Sequence, residues 1–293
     1  MSLITRRSFL KTGVAAGALT GMGGMPLLAE QTKATDRITL GRSDVKVTRL
    51  AFGTGTHNGH VQRQLGQDAF NRMVRHAYDQ GIRFFETAQS YPGMPEMLGT
   101  ALKGIPRDSY ALMSKVTTDG ADPRTTLDEM RRQSQTEFFD IMLMHVQTGP
   151  NWPSQSLRWQ DGILEMEHRQ AIRSHGASVH GLQALRQVPG DKWLEIAMIR
   201  MNHKGTRMDN ENDEWDEPAN VSDVVVHVKQ AHAAGKGVIS MKLIGEGAFT
   251  DRSDRQQAMR FAFRNAGVDA VTVGYKSIAE IDEAIENVNL ALA

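Results

Sequence analysis

Eight times between Val47 and Gly274 a short apolar run of strand length gives way to a longer amphipathic run. The short runs are Val47–Phe52, Ile82–Glu86, Tyr110–Lys115, Phe139–His145, Ile172–Ser178, Leu194–Met201, Gly237–Leu243 and Asp269–Gly274. Between and after them lie helix-period segments: Asp68–Gln80, Pro95–Lys103, Pro123–Thr136, Gly162–Gln170, Gly181–Gln187, Val221–Ala234, Arg252–Asn265 and Ser277–Leu292. Eight such units in about 250 residues predict an α/β fold, a (β/α)8 TIM barrel. A doubly wound sheet would have fewer strands and a glycine-rich first turn. Here "FGTGTHNG" follows the first strand without the spacing of a dinucleotide fingerprint.

The boundaries agree with this alternation. Asp122 before Pro123 predicts an N-cap with proline at the first helical position, and Gly81 and Gly235 stand where helices end in a left-handed residue. "RITLGRSDVKV", Arg37 to Val47, reads as a β-hairpin ahead of the barrel, placed to close its bottom. The stretch Asn202–Asn220 is polar and acidic and predicts a surface loop over the barrel mouth, with Asp209–Glu217 a solvated face. The methionines, 16 in all, fall mostly in strands and helices (Met113, Met142, Met144, Met198) and read as core filler.

Ahead of the barrel, "TRRSFLK" (Thr5–Lys11) and a mild Gly/Ala/Leu stretch to Leu28 are similar to a twin-arginine export signal. Residues 1–30 are therefore expected to be a cleavable signal and 36–293 the barrel, with a periplasmic or otherwise exported location and the export machinery as a partner. The apolar segment is too short and glycine-rich for a stable membrane anchor. Basic and acidic residues balance at 34 each, which gives no reason to expect nucleic acid as a partner. The absence of cysteine excludes disulfides and thiolate chemistry.

In this architecture chemistry gathers at the C-terminal ends of the strands. Glu86 ends the second strand with Tyr91 just beyond, Lys115 ends the third, and His145 ends the fourth. A phenol is a poor proton shuttle at neutral pH unless an ammonium stabilises the phenolate, and a carboxylate would hold that ammonium in place. A histidine can orient or relay beside them. The electrons for a redox reaction would have to come from a bound cofactor.

These segments carry a resemblance. "GIRFFETAQSYPGMPEMLGTALKG", "SKV", "DIMLMHV" and "GVISMKLIGEG" are similar to the motifs of the aldo/keto reductases, a barrel family that reduces carbonyls with a nicotinamide cofactor. The likeness runs from about Arg37 to the C-terminus. It implies Tyr91 as general acid, Lys115 as the partner that lowers its pKa, Glu86 as the carboxylate securing the lysine, and His145 as the residue orienting the carbonyl. It implies cofactor contacts from Gly53, Thr54, Ser178, Lys242, Gly274, Lys276, Ser277 and Glu283, and a small carbonyl compound or sugar as substrate. Export adds the expectation that NADP(H) is held tightly and recycled.

Several positions depart from the family pattern. Its acid is aspartate where this chain has Glu86; Val179 follows Ser178 where an asparagine is usual; Met198 stands for a glutamine and Ala284 for an asparagine. Three rival readings accompany the reductase. One is an isomerase or epimerase. Another is a barrel-mouth metal site drawing on His57, His60, His175, His180 or His203 with Glu86. The third is a barrel that only binds its ligand. Trp152, Trp159 and Trp215 are candidates for stacking on a planar or sugar substrate.

Overall fold

A computed structural model describes residues 32–120 and 122–293; the arginine pair of the expected export signal lies outside them. The described chain opens with the antiparallel hairpin of β1 (Arg37–Thr39) and β2 (Lys46–Thr48), paired Arg37 to Thr48. The barrel strands follow: β3 (Leu50–Gly53), β4 (Phe84–Glu86), β5 (Ala111–Val116), β6 (Phe139–Gln147), β7 (Ile172–Val179), β8 (Ile196–Arg200), β9 (Gly237–Met241) and β10 (Ala270–Gly274). Each pairs in parallel with the next, and β10 pairs with β3, so the sheet closes on itself. The helices that cover it are α1 (His60–Arg63), α2 (Gln67–Asp79), α3 (Met94–Leu102), α4 (Pro123–Gln133), α5 (Trp152–Gln155), α6 (Leu157–His168), α7 (Leu182–Leu185), α8 (Val221–Ala233), α9 (Arg252–Arg260) and α10 (Ile278–Leu292). The expected (β/α)8 barrel is the fold.

Two apolar layers hold it. Inside the barrel Ala51, Phe84, Met113, Ile141, Leu143, Ile196, Met198, Ile239 and Ala270 form one buried cluster. Leu40, Val45 and Val47 of the hairpin complete that cluster, and the Arg42 N–H donates to the Gly235 carbonyl just before β9 (2.9 Å). The hairpin therefore plugs the N-terminal end, as the sequence predicts. Outside, Phe52, Phe85, Leu112, Met142, Ile199 and Val271 point the other way, against the helices. Alternate residues serve the two layers because successive side chains of a strand face opposite sides.

The predicted caps are present: the Asp122 carboxylate accepts from the Thr125 N–H (2.8 Å), and Gly81 and Gly235 take φ of 98° and 83°. The first strand needs correction. The apolar run Val47–Phe52 belongs to two elements, because Thr48 turns the chain from hairpin to barrel, its hydroxyl donating to the Leu50 carbonyl (2.8 Å) and accepting from the Arg83 N–H (3.1 Å). The helix expected at Gly162–Gln170 starts earlier, at Leu157. Ser156, whose hydroxyl donates to the Trp152 carbonyl (2.8 Å), separates it from α5. α7 is a single turn, and α9 passes at Phe261 into one π-helical turn ending at Ala266. The loop 202–220 is not solvated throughout: Met208, Asp209 and Asn210 are buried, Asp209 pairing with Arg200 (2.6 Å) and accepting from the Gly181 N–H (2.9 Å). A strand-end guanidinium without water demands such a carboxylate.

Candidate active site

The inward face of the barrel carries apolar residues until its last layer. Two residues beyond Phe84, Met113 and Leu143, the same inward register delivers Glu86, Lys115 and His145. All three are buried. The Lys115 ammonium touches a Glu86 carboxylate oxygen and donates to the Thr87 carbonyl (3.0 Å). From β10, one strand beyond β3, the Thr272 hydroxyl donates to the other Glu86 oxygen (3.4 Å). Burial, and then the Lys242 charge, pull Lys115 well below the ordinary lysine value, while the touching carboxylate works in the opposite direction.

Tyr91 comes from the turn before α3. Its ring centroid lies 4.8 Å from the Lys115 nitrogen and meets the His145 ring edge to face at 5.7 Å. The expectation that the lysine lowers this phenol is not met in the site as it stands. Burial, and after it the Glu246 carboxylate, push Tyr91 above its ordinary value. The ammonium sits over the ring, within reach of its π-cloud. Burial, then Lys115 and Lys242, bring His145 down to about 3, so its imidazole is neutral; its Nδ1 lies 3.0 Å from the Ser90 hydroxyl. Directly after His145 the β6–β7 register shifts and Val146 takes φ 53°. A β-branched residue in that conformation is strained, and bulges of this kind re-aim side chains beside active sites.

Glu86 and Tyr91 form one end of a cleft of about 530 Å³ that runs over the ends of β3, β9 and β10 to the start of α10. Of the expected cofactor contacts, Gly53, Lys242, Gly274, Lys276 and Glu283 line it. Thr54 and Ser178 are fully buried and do not line it, and Ser277 instead caps α10, its hydroxyl accepting from the Glu280 N–H (3.3 Å). Both Glu283 oxygens grip Arg255 (2.6 and 2.9 Å). The Lys276 backbone N–H is held by the Glu280 carboxylate (2.8 Å).

The sequence reading missed Glu246, Phe249, Arg255 and Asn287, which also line the cleft. Asn287 had a signal: it stands one turn beyond Ala284 on the same face of α10. Its Oδ1 is buried without a partner among the described residues. A cleft lined by Met198, Met241 and Val273, with cations at Lys242 and Lys276 and an amide oxygen in want of a donor, fits a dinucleotide.

The histidines do not assemble at the mouth. His57 lines the cleft and the His180 ring lies 6.3 Å from His145, while His203 packs on Phe249. His175 sits apart with Glu167 and Glu195. Its Nδ1 contacts Glu167 (2.7 Å) and its Nε2 the Trp193 carbonyl (2.7 Å). Although burial opposes it, the Glu167 hydrogen bond and the two carboxylate charges raise His175, so the cluster is a satisfied ion pair. Trp152 and Trp159 are buried in their own helices, the Trp152 indole donating to the Ala184 carbonyl (3.2 Å); neither faces the cleft. Trp215 is exposed, with the Lys242 nitrogen 5.0 Å from its ring.

The sequence model of the aldo/keto reductase family matches residues 49–260. The chain belongs to the aldo/keto reductase family. It is 32% identical over 117 residues to the L-galactose dehydrogenase of Arabidopsis thaliana, a match spanning 36% of each chain, so it covers about a third of that relative's length. A solved Pseudomonas aeruginosa chain described as a candidate aldo-keto reductase superposes with a TM-score of 0.72 at 18% identity, over 90% of this chain and 99% of that one. An aldo-keto reductase from Bacillus halodurans, in its holo form, gives 0.68 at 18% identity over 86% and 90%. At that identity the likeness is one of fold. Among the described residues no helix is long and apolar enough to cross a membrane.

Proposed function

We propose that this aldo/keto reductase interconverts a carbonyl and an alcohol on a small molecule or sugar, with NADP(H) bound in the cleft. The observation that supports this most is the packing of Tyr91 against the Lys115–Glu86 pair and His145, with Glu86 and Tyr91 at one end of a cleft of about 530 Å³. Gly53 and Gly274 would line its path, Lys242 and Lys276 would meet its phosphates, and Asn287 would receive a donor from its adenosine half. Bound there, NADP(H) supplies the electron pair and the hydrogen that the carbonyl carbon accepts.

The chain's own residues do the rest. The neutral His145 imidazole holds the substrate oxygen in place, and the Tyr91 hydroxyl gives that oxygen a proton. Burial keeps the phenol protonated, which suits a donor and so the reductive direction. As the proton leaves, Lys115 stabilises the phenolate, and Glu86 keeps the ammonium from drifting. Trp215, exposed beside Lys242, is the ring available to a sugar face.

The proposal extends to location. With Arg6 and Arg7 ahead of a glycine-rich apolar stretch, the folded enzyme would leave by the twin-arginine route with its dinucleotide already bound. Native mass spectrometry of the exported protein should show a bound nicotinamide nucleotide; free polypeptide alone would argue against retention. The proton role is tested with Tyr91→Phe, which should lose turnover by about 10²- to 10⁴-fold while still binding NADPH. Unchanged turnover would take Tyr91 out of the mechanism.

A further inference from the structure

The loop after β9 places a carboxylate where the cleft is most basic. Glu246 Oε1 accepts from the Lys242 ammonium at 2.8 Å and from the His57 backbone N–H at 3.0 Å. These donors belong to opposite walls, His57 to the loop after β3 and Lys242 to the loop after β9, so one side chain spans the cleft. The carboxylate is sheltered, the Glu246 side chain being 8% exposed, while Lys242 is half-buried and His57 is exposed. All three residues are strained. His57, Lys242 and Glu246 take φ of 48°, 56° and 55°, a left-handed conformation that non-glycine residues adopt only where surrounding contacts impose it. Glycines flank the glutamate on both sides, so the loop has pivots next to it.

An ammonium and an in-line backbone N–H converging on one oxygen are the donors that receive a phosphate oxygen. Here a carboxylate of the chain already has them. We infer that Glu246 is an internal competitor for the phosphates of the dinucleotide: its carboxylate holds Lys242 and the His57 N–H until a phosphate oxygen displaces it and the side chain swings out on Gly245 and Gly247. This rests on the dinucleotide reading proposed above and adds a residue that sets how tightly anionic ligands bind. Three consequences follow. The cleft is kept from collecting stray anions, the donors stay oriented while it is empty, and the two loops are tied together until the cofactor arrives.

The test is anion binding by the full chain. NADPH is titrated by nicotinamide fluorescence and inorganic pyrophosphate by calorimetry, against wild type, Glu246→Gln and Glu246→Gly. Glycine relieves the left-handed strain and guards against a glutamine variant that folds poorly. Loss of the competing charge should tighten pyrophosphate and NADPH by about ten-fold, with a steeper loss of affinity as salt rises. Affinities for both probes that are unchanged or weaker in both variants would overturn the inference. The dinucleotide reading fails separately: no binding of NADPH or NADH by any form would remove it. The pyrophosphate comparison would still decide the role of Glu246.

Discussion

Tyr91 lies over Gly55 so closely that a β-carbon there would sit 2.6 Å from the phenol oxygen. The position of the hydroxyl is thus set by an absent side chain in the loop after β3. Gly55→Ala should push the ring off its station with little effect on the barrel core. Displacement of a reacting group by about 1 Å costs on the order of 10²-fold in rate. We expect a loss of that size in kcat for carbonyl reduction, read by NADPH consumption, with a thermal midpoint close to wild type.

The Lys115–Glu86 pair should behave as a unit in stability. Lys115→Met leaves the Glu86 carboxylate buried without its cation, a change that costs about 3–5 kcal/mol. Adding Glu86→Gln removes the stranded charge and should restore most of the loss in a denaturant titration. Turnover should stay low in both variants, because the phenolate then lacks its counter-charge. Equal stability of single and double variants would show that the two side chains are not coupled.

The direction of reaction should divide by pH. With Tyr91 held above its ordinary value chiefly by burial, the phenol stays protonated through the neutral range. kcat/KM for reduction should be flat from neutral into alkaline pH, while alcohol oxidation, which needs the phenolate, should climb with pH over the same span. Profiles measured in both directions on one substrate pair check this. A reductive profile that falls near neutrality would mean a proton donor of lower pKa.

Two buried histidines should pull stability in opposite directions. His145 is depressed to about 3, so as pH falls below the ordinary 6.5 the unfolded chain takes up a proton that the folded one refuses. Stability is full above that value and declines towards 3, by up to about 1.4 kcal/mol per pH unit. His145→Gln should flatten the decline. His175 is raised by Glu167 and Glu195 against its burial, so its contribution is complete below 6.5 and disappears as pH rises through the folded value. His175→Gln should therefore destabilise more in mild acid than in alkali. Urea titrations across pH separate the two.

The barrel was legible because periodicity reports burial directly: eight short, mostly apolar runs alternating with amphipathic ones have few ways to be covered. The rim residues were legible for the same reason, since a Glu86, Lys115 or His145 at the end of such a run breaks the pattern where the fold puts its chemistry. Less could be read where the chain leaves regular structure. The Val47–Phe52 run concealed a turn at Thr48, because two consecutive apolar segments look like one. Asp209 looked solvated within an acidic stretch, and only the neighbouring strand-end Arg200 explains its burial. Glu246 and Arg255 were silent in the sequence because the contacts that fix them across the cleft, to His57 and Glu283, come from other loops and helices of the chain.

The hairpin has a consequence for traffic. Leu40, Val45 and Val47 stopper the lower end of the barrel, so whatever reaches Tyr91 arrives and departs through the upper rim. For an enzyme that retains its dinucleotide, an alcohol product must vacate that doorway before the next oxidisable molecule can enter to recharge the cofactor. The two half-reactions then alternate in time, and each substrate becomes a competitive inhibitor of the other.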